Sequence, residues 1–222
     1  MWAVGWYKDS GDTDQTLIEH WNGHKWTVVS HPAVTPPERF TDLARIPGTA
    51  RAWAVGVTDT NATPKTLVQR SLGTTWAPVA SPNQGTFPSE LDGVAARTAT
   101  DAWAVGSYND GVGKTLVERW NGSNWSVVPS PNAGTGNSNL TEVAVHSTTS
   151  AWALGSKRVN GTARVLAERW NGTVWKAIPF PAVGISDNGV TDIGAIPGRN
   201  SAWGTGLYSD NDGFHPLVEG YC

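Results

Sequence analysis

From Leu91 to Val128 apolar side chains come in short alternating runs, cut by Asp, Asn, Gly and Pro. A period of two marks half-buried strands, because successive strand side chains point to opposite faces. Leu91–Thr98 reads as a first strand, Ala99–Asp101 as its turn, and Ala102–Tyr108 as a second strand. On that second strand Ala102, Ala104 and Gly106 share one face, and Trp103 and Val105 the other. The small side allows close approach of a neighbouring sheet, while tryptophan fills space on the opposite side. The loop Asn109–Lys114 leads to a third strand, Thr115–Trp120. Asn121-Gly122 is a tight-turn signal because both positions tolerate positive φ, and Trp125–Val128 is the fourth strand. Pro129 and Pro131 then end pairing, since proline has no N–H for a ladder. No helical period of 3.6 is sustained anywhere.

This unit is written along the whole chain. Ala-Trp-Ala-Val-Gly stands at Ala52–Gly56 and Ala102–Gly106, with variants at Met1–Gly5, Ala151–Gly155 and Ala202–Gly206. Trp2, Trp53, Trp103, Trp152 and Trp203 are therefore spaced by 51, 50, 49 and 51 residues. The third-to-fourth strand hairpin recurs at Glu19–Trp26, Glu118–Trp125 and Glu168–Trp175, and in degraded form at Gln69–Trp76. First strands recur at Phe40–Ile46, Leu140–Val145 and Val190–Ile196, and proline exits at Pro32, Pro82, Pro131 and Pro181. A period near fifty is that of stacked supersecondary units, none of which buries its apolar face alone. Four strands in an up-and-down meander make one blade of a β-propeller. The expected fold is all-β: one domain, 1–222, a β-propeller of about five four-stranded blades. Its repeats are about 1–39, 40–89, 90–139, 140–189 and 190–222. Copy one starts at its second strand and copy five ends in its third, Leu217–Cys222, so the terminal blades are incomplete and eighteen strands are expected. Two arrangements follow: a ring of five closed with two imperfect blades, the one favoured, or a window on a longer array.

Trp53, Trp103, Trp152, Trp76, Trp125 and Trp175 are expected between blades. Fully burying one tryptophan removes roughly 150–250 Å² from water, an upper-bound gain of about 4–6 kcal/mol.

The succession Leu-x-x-Val-Ala, Ala-Trp-Ala-Val-Gly, Thr-Leu-Val-Glu-Arg-Trp-Asn-Gly-x-x-Trp-x-x-Val-Pro-Ser-Pro-Asn resembles the tryptophan-rich tandem repeats of secreted actinobacterial and Chloroflexi proteins. Those are similar to kelch and galactose-oxidase-type propellers. Kelch blades carry a glycine doublet before a spaced Tyr and Trp, whereas here a single Gly106 precedes Tyr108 and Trp120. The resemblance implies a bacterial, extracellular or cell-surface binding module.

Composition narrows the partners. Net charge is −3, with 16 basic and 19 acidic residues, so no basic field draws nucleic acid or anionic lipid. No run approaches the roughly 18 apolar residues of a membrane span. The N-terminus lacks the basic and apolar regions of a signal peptide. One cysteine, Cys222, excludes an internal disulfide framework and a thiolate metal cluster. The histidines His20, His24, His31, His146 and His215 lack zinc-ligand spacing. No nucleophile elbow, phosphate loop or dinucleotide fingerprint is present.

Candidate chemistry lies in three places. Asp42, Gly93, Glu142 and Asp192 are equivalent first-strand positions, preceded by Thr41, Asp92, Thr141 and Thr191. Pointing to the axis, the carboxylates would form a negative ring able to bind a cation or a sugar, with shifted pKa values. Trp21, Trp120, Trp170 and Tyr221, with Ser71 in the odd copy, are candidate sugar platforms, and packing is their competing role. The loops after second strands carry Asp9, Asp12, Asp14, Asp110, Asp210 and Asp212. The clusters Asp9, Asp12, Asp14 and Asp210, Asp212 are candidate Ca²⁺ ligands without EF-hand spacing, and solvated turns are the plainer reading. Glu19, Glu118, Glu168 and Glu219, with Gln69, repeat at one position. Repetition speaks against catalysis, since an acid and a base need different environments, so structural hydrogen bonding is expected there.

The expected function is a non-catalytic module recognising carbohydrate or protein through top-face loops, with no cofactor unless Ca²⁺. One alternative is a glycoside hydrolase or lyase using Asp92, Glu142 and Asp192. Another is a structural spacer of a surface protein.

Overall fold

A computed structural model describes residues 1–34, 36–58, 63–180, 187–196 and 201–221. They form eighteen strands in five antiparallel sheets, each sheet made from consecutive strands. Sheet 1 is β1 (Trp2–Lys8), β2 (Asp14–Trp21) and β3 (Trp26–Val28). Sheet 2 is β4 (Glu38–Arg45), β5 (Ala52–Thr58), β6 (Lys65–Ser71) and β7 (Trp76–Pro78). Sheet 3 is β8 (Ser89–Thr98), β9 (Asp101–Asn109), β10 (Gly113–Trp120) and β11 (Trp125–Val127). Sheet 4 is β12 (Ser138–Ser147), β13 (Ser150–Val159), β14 (Thr162–Trp170) and β15 (Trp175–Ile178). Sheet 5 is β16 (Asn188–Ala195), β17 (Ala202–Asp210) and β18 (Gly213–Tyr221). The expected strand grouping of three, four, four, four and three is the one observed. No described helix is long and apolar enough to cross a membrane.

The alternation read on Ala102–Gly106 sets how sheets stack. Ala102 and Ala104 pack with Trp53, Val55 and Val68 of sheet 2, while Trp103 and Val105 pack with Ala151, Ala153 and Leu166 of sheet 4. Each sheet therefore gives its small face to the blade before it and its tryptophan face to the blade after. Trp103 lies 5.0 and 5.2 Å from Trp170 and Trp175, and Trp53 lies 4.9 and 5.1 Å from Trp120 and Trp125 (ring centroids). Such contacts add about 0.5–1.5 kcal/mol beyond burial. On the same face the Arg119 guanidinium sits 4.8 Å over Trp103, and Arg70 4.9 Å over Trp53. Arg119 is itself held at 3.0 Å by Asp101, which also takes Arg97 at 2.7 Å.

Four buried clusters fill the four seams between consecutive sheets. A closed ring of five requires a fifth. Trp203, on the outer face of sheet 5, is 52% exposed, whereas Trp53, Trp103 and Trp152 are at most 1% exposed. Trp26, on the outer face of sheet 1, is 41% exposed against 4% for Trp125 and Trp175. The five blades thus form an open stack among the described residues, not the closed ring that the repeat count favours.

Two local features go beyond the sequence pattern. The Asn-Gly hairpins are four-residue loops, with Trp120 paired to Trp125 across Asn121–Asn124. Only glycine takes positive φ, +103° at Gly122, while Asn121 Oδ1 accepts the N–H groups of Ser123 and Asn124. Asparagine thus acts through its side chain, as in an Asx-turn. The glycine ending Ala-Trp-Ala-Val-Gly has a reason the sequence did not suggest. Each first strand carries a bulge, and Gly106 pairs with Leu91 at its edge. A Cβ on Gly106 would lie 2.1 Å from the Glu90 carbonyl oxygen, and Gly56, Gly155 and Gly206 meet equivalent carbonyls at 1.9–2.1 Å. At Gly5, where the sheet has no first strand, a Cβ would meet nothing.

Candidate functional site

The bulges position the axial carboxylates. In sheet 2 the register moves from Phe40–Gly56 to Asp42–Val55, leaving Thr41 as the extra residue. Asp92, Thr141 and Thr191 are the extra residues of sheets 3, 4 and 5. The bulge also joins neighbouring blades: Thr41 Oγ1 donates to the Leu91 carbonyl at 2.7 Å, and the Val94 N–H donates to Asp42 Oδ2 at 2.7 Å. Sheet 3 breaks the pattern, with glycine at 93 and its carboxylate one place earlier. Space explains the glycine, since a Cβ at Gly93 would lie 2.6 Å from the Thr141 carbonyl.

Asp42, Asp92, Glu142 and Asp192 are brought into electrostatic contact. Burial pushes Glu142 up to about 8, reinforced by Asp42, Asp192 and Asp92. Burial, then Glu90, pushes Asp92 up to about 7. Asp42 is raised mainly by burial, which outweighs its backbone hydrogen bonds from Val94 and Leu43. Asp192 is exposed, with one carboxylate oxygen 2.7 Å from the Ile193 N–H. At neutral pH the group therefore carries fewer than four negative charges. Among the described residues no three His, Cys, Asp or Glu side chains are arranged to hold a metal ion.

The other sequence candidates fall elsewhere. Trp120 and Trp170 are buried in seams and donate their indole N–H groups to the Ala99 and Thr148 carbonyls at 3.1 Å. Neither has a ring face free for a sugar, so their platform role is corrected to packing. Trp21 is half-buried on the outer face of sheet 1. Tyr221 closes β18, and its side chain, like Cys222 and Pro181, lies outside the described residues. The loop aspartates are engaged by their own turns. Asp9 accepts from the Gly11 and Thr13 N–H groups at 2.8 and 3.0 Å, which lowers its pKa. Asp12 pairs with Lys8, and Asp14 with Arg39. Asp110 pairs with Lys114 at 3.0 Å. Asp210 accepts from the Asp212 N–H at 2.8 Å and lies 2.9 Å from His215.

Two of the repeated glutamates are buried, and Glu219 is half-buried. Glu118 and Glu168 are fully buried, and burial pushes each up to about 8. Glu118 accepts from Ser81 of the preceding blade's exit at 2.8 Å, and Gln69 donates to the Pro32 carbonyl at 2.8 Å. Glu118 and Gln69 thus fasten one blade to the exit of the last, whereas both carboxylate oxygens of Glu168 are buried without a hydrogen-bond partner among the described residues.

The top face, where second-to-third strand loops meet the blade connections, holds two clefts that share Glu90. The first, about 170 Å³, is lined by Asp14, Glu38, Arg39, Val57, Pro64 and Glu90. Arg39 is fixed there by Asp14 and lies 4.7 Å from the Trp6 ring. The second, about 280 Å³, is lined by Glu90, Ser107, Tyr108, Asn109, Asn137 and Asn139, among others. It is polar, with Glu90 as its one charged lining residue among the described residues. Asn137 Oδ1 accepts the Gly113 N–H at 3.0 Å, and Asn139 Oδ1 accepts the Ser156 hydroxyl at 2.6 Å. Their amide nitrogens carry the remaining donor capacity. The sequence reading missed Arg39, Glu90 and Asn139 as site residues. They occupy one repeat position, directly before Phe40, Leu91 and Leu140, where Gly189 stands in the fifth copy. That change of charge at a fixed place was the available signal.

No family model matches the chain, and no curated protein matches it. Two solved structures are similar. One is YCF48 bound to D1 peptide, at TM-score 0.49 and 14% identity, with 96% of this chain and 63% of that chain covered. The other is Trypanosoma rangeli sialidase in complex with sialic acid, at TM-score 0.52 and 14% identity, with 99% of this chain and 37% of that one covered. The chain thus spans less than two thirds of either protein. The sialidase likeness speaks for fold alone, and together with the five consecutive meander sheets it makes this chain an all-β propeller.

Proposed function

We propose that the chain is a non-catalytic binding module whose top face takes a carbohydrate in the cleft between sheets 3 and 4. The observation carrying this reading is the cleft's chemistry: Tyr108, three asparagines and Ser107 around a single carboxylate, Glu90. Amides and hydroxyls both donate and accept, as a polyhydroxylated ligand requires, and about 280 Å³ lies near the lower end of small-molecule sites. The reading agrees with the repeat's resemblance to tryptophan-rich, kelch-like repeats of secreted bacterial proteins, and so with an extracellular setting. No Ca²⁺ is part of it, and chelation should leave binding unchanged. A glycan array followed by calorimetry tests it, with Asn139→Ala and Tyr108→Ala expected to weaken any hit at least tenfold. Failure of every glycan class, or hits indifferent to both substitutions, would remove the carbohydrate reading.

A second reading is a glycoside hydrolase or lyase on the axial carboxylates. Its support is that Asp92 and Glu142, raised to about 7 and 8, keep protons near neutrality as a general acid must. Turnover of chromogenic glycosides that survives Asp92→Asn, Glu142→Gln and Asp192→Asn together would exclude it.

A further inference from the structure

The internal seams are head-to-tail contacts: the tryptophan face of one blade meets the opposite face of the next, which in sheets 3 and 4 carries a cross-strand tryptophan pair. Among the described residues, the two end sheets of the stack present one of each, both uncovered. On sheet 5, Trp203, Leu207, Val218 and Phe214 are exposed at 52, 48, 62 and 77%. Trp203 pairs across to Gly220 and Thr205 to Val218, so these residues share a face. Gly220 stands where the other blades place Arg70, Arg119 or Arg169 over the ring, so no cation is held over Trp203 from that position. On sheet 1, Trp21 and Trp26 form the cross-strand pair equivalent to Trp120–Trp125 and Trp170–Trp175, with centroids 5.7 Å apart against 5.8 and 6.0 Å. The receiving half of a seam is therefore already assembled. Tyr7 and Val28 extend the same surface, at 49 and 69% exposure.

From this we infer that the outer face of sheet 5 docks the outer face of sheet 1 of a second copy of the chain. The new seam would repeat the two that bury Trp53 and Trp103, with Trp203 against the partner's Trp21 and Trp26. The occupant is specified by the internal seams themselves: the surface that covers Trp103 and Trp53 is a tryptophan pair on a blade, and sheet 1 carries that pair unused. Such a contact is heterologous, so it propagates to a ring or a filament instead of stopping at a symmetric dimer.

Sedimentation equilibrium across micromolar to millimolar concentration tests this. The wild type should grow in mass with concentration. Trp203→Glu and Trp26→Glu should each associate at least tenfold more weakly. Both sites are exposed, and circular dichroism with a thermal melt checks that each variant folds. Mixing the two variants is decisive, since each retains the face the other has lost: they should form one-to-one dimers and grow no further. A wild type that stays monomeric would overturn the inference. If Trp203 in that monomer resists acrylamide quenching, the chain's own end blades cover each other; if it is quenched, the face has no partner in this chain. Variants that assemble like the wild type, or a mixture that stays monomeric, would also overturn it.

Discussion

Trp103 and Trp203 hold the same place in the repeat, at the start of a second strand, yet one is sealed and the other half in water. Trp103 has Trp170 and Trp175 in front of it and Arg119 over its ring; Trp203 has no blade in front and Gly220 beside it. The residue is constant and its neighbours are not, so its energetic weight comes from the seam. In an array where each unit touches only its neighbours, stability resides in unit terms plus seam terms. The first and last copies show what a repeat is without one seam.

The sharpest way to break this comparison is to truncate both rings. Trp103→Ala should cost about 3–5 kcal/mol in denaturant unfolding, and Trp203→Ala less than about 1 kcal/mol. Equal losses would mean that tryptophan acts within its own sheet. Next come the glycines opposite the bulges. Gly106→Ala drives a Cβ into the Glu90 carbonyl and should cost about 3 kcal/mol, near the top of the usual range for overpacking. Gly5→Ala should change stability by less than about 0.5 kcal/mol. A small effect at Gly106 would show that the bulge yields.

The smallest expected effect has a sign set by protons. Glu118 binds its proton up to about pH 8 in the folded state, but only to about 4.5 when free. Between those values the folded protein holds the extra proton, so stability falls as pH rises, by at most about 1.4 kcal/mol per unit. Above pH 8 the loss is complete. Glu118→Gln should leave stability unchanged below pH 4 and raise it at pH 9. Gln69, buried at the same repeat position, shows that the seam accepts the amide. Glu19→Gln, on the uncovered face, should leave the melting curve unmoved. Melts at pH 4, 7 and 9 decide it.

Much of this architecture is legible in the chain. Trp2 to Trp203 set the period, alternation through Ala102–Gly106 assigned the two faces, and the Pro129-Ser130-Pro131 exits marked the blades. What escaped the sequence depends on one strand's backbone meeting another. The bulge at Asp92 places the Glu90 carbonyl against Gly106, and no local pattern reports a carbonyl sixteen residues away. The turn at Asn121-Gly122 was legible, but asparagine has two uses in turns, and only the structure shows that the side chain serves here, not the φ angle. Closure was misjudged because counting repeats says nothing of the angle between blades. Among site residues, Asp42, Asp92, Glu142 and Asp192 were read from repeat alignment, and their mutual effect on titration is seen in the structure. The Glu90–Asn139 cleft was missed because its walls come from residues almost fifty apart, alike in position but not in chemistry.

Every sheet is built from one unbroken stretch of chain, and every buried seam joins blades adjacent in sequence. Under tension applied at the two ends, force enters through a terminal sheet that is secured on one side only. That sheet should detach first and expose the next tryptophan face in turn. A complete repeat of about 50 residues then releases roughly 165–180 Å of contour length. Pulled from its ends, the molecule should lengthen in even steps, yielding one blade at a time.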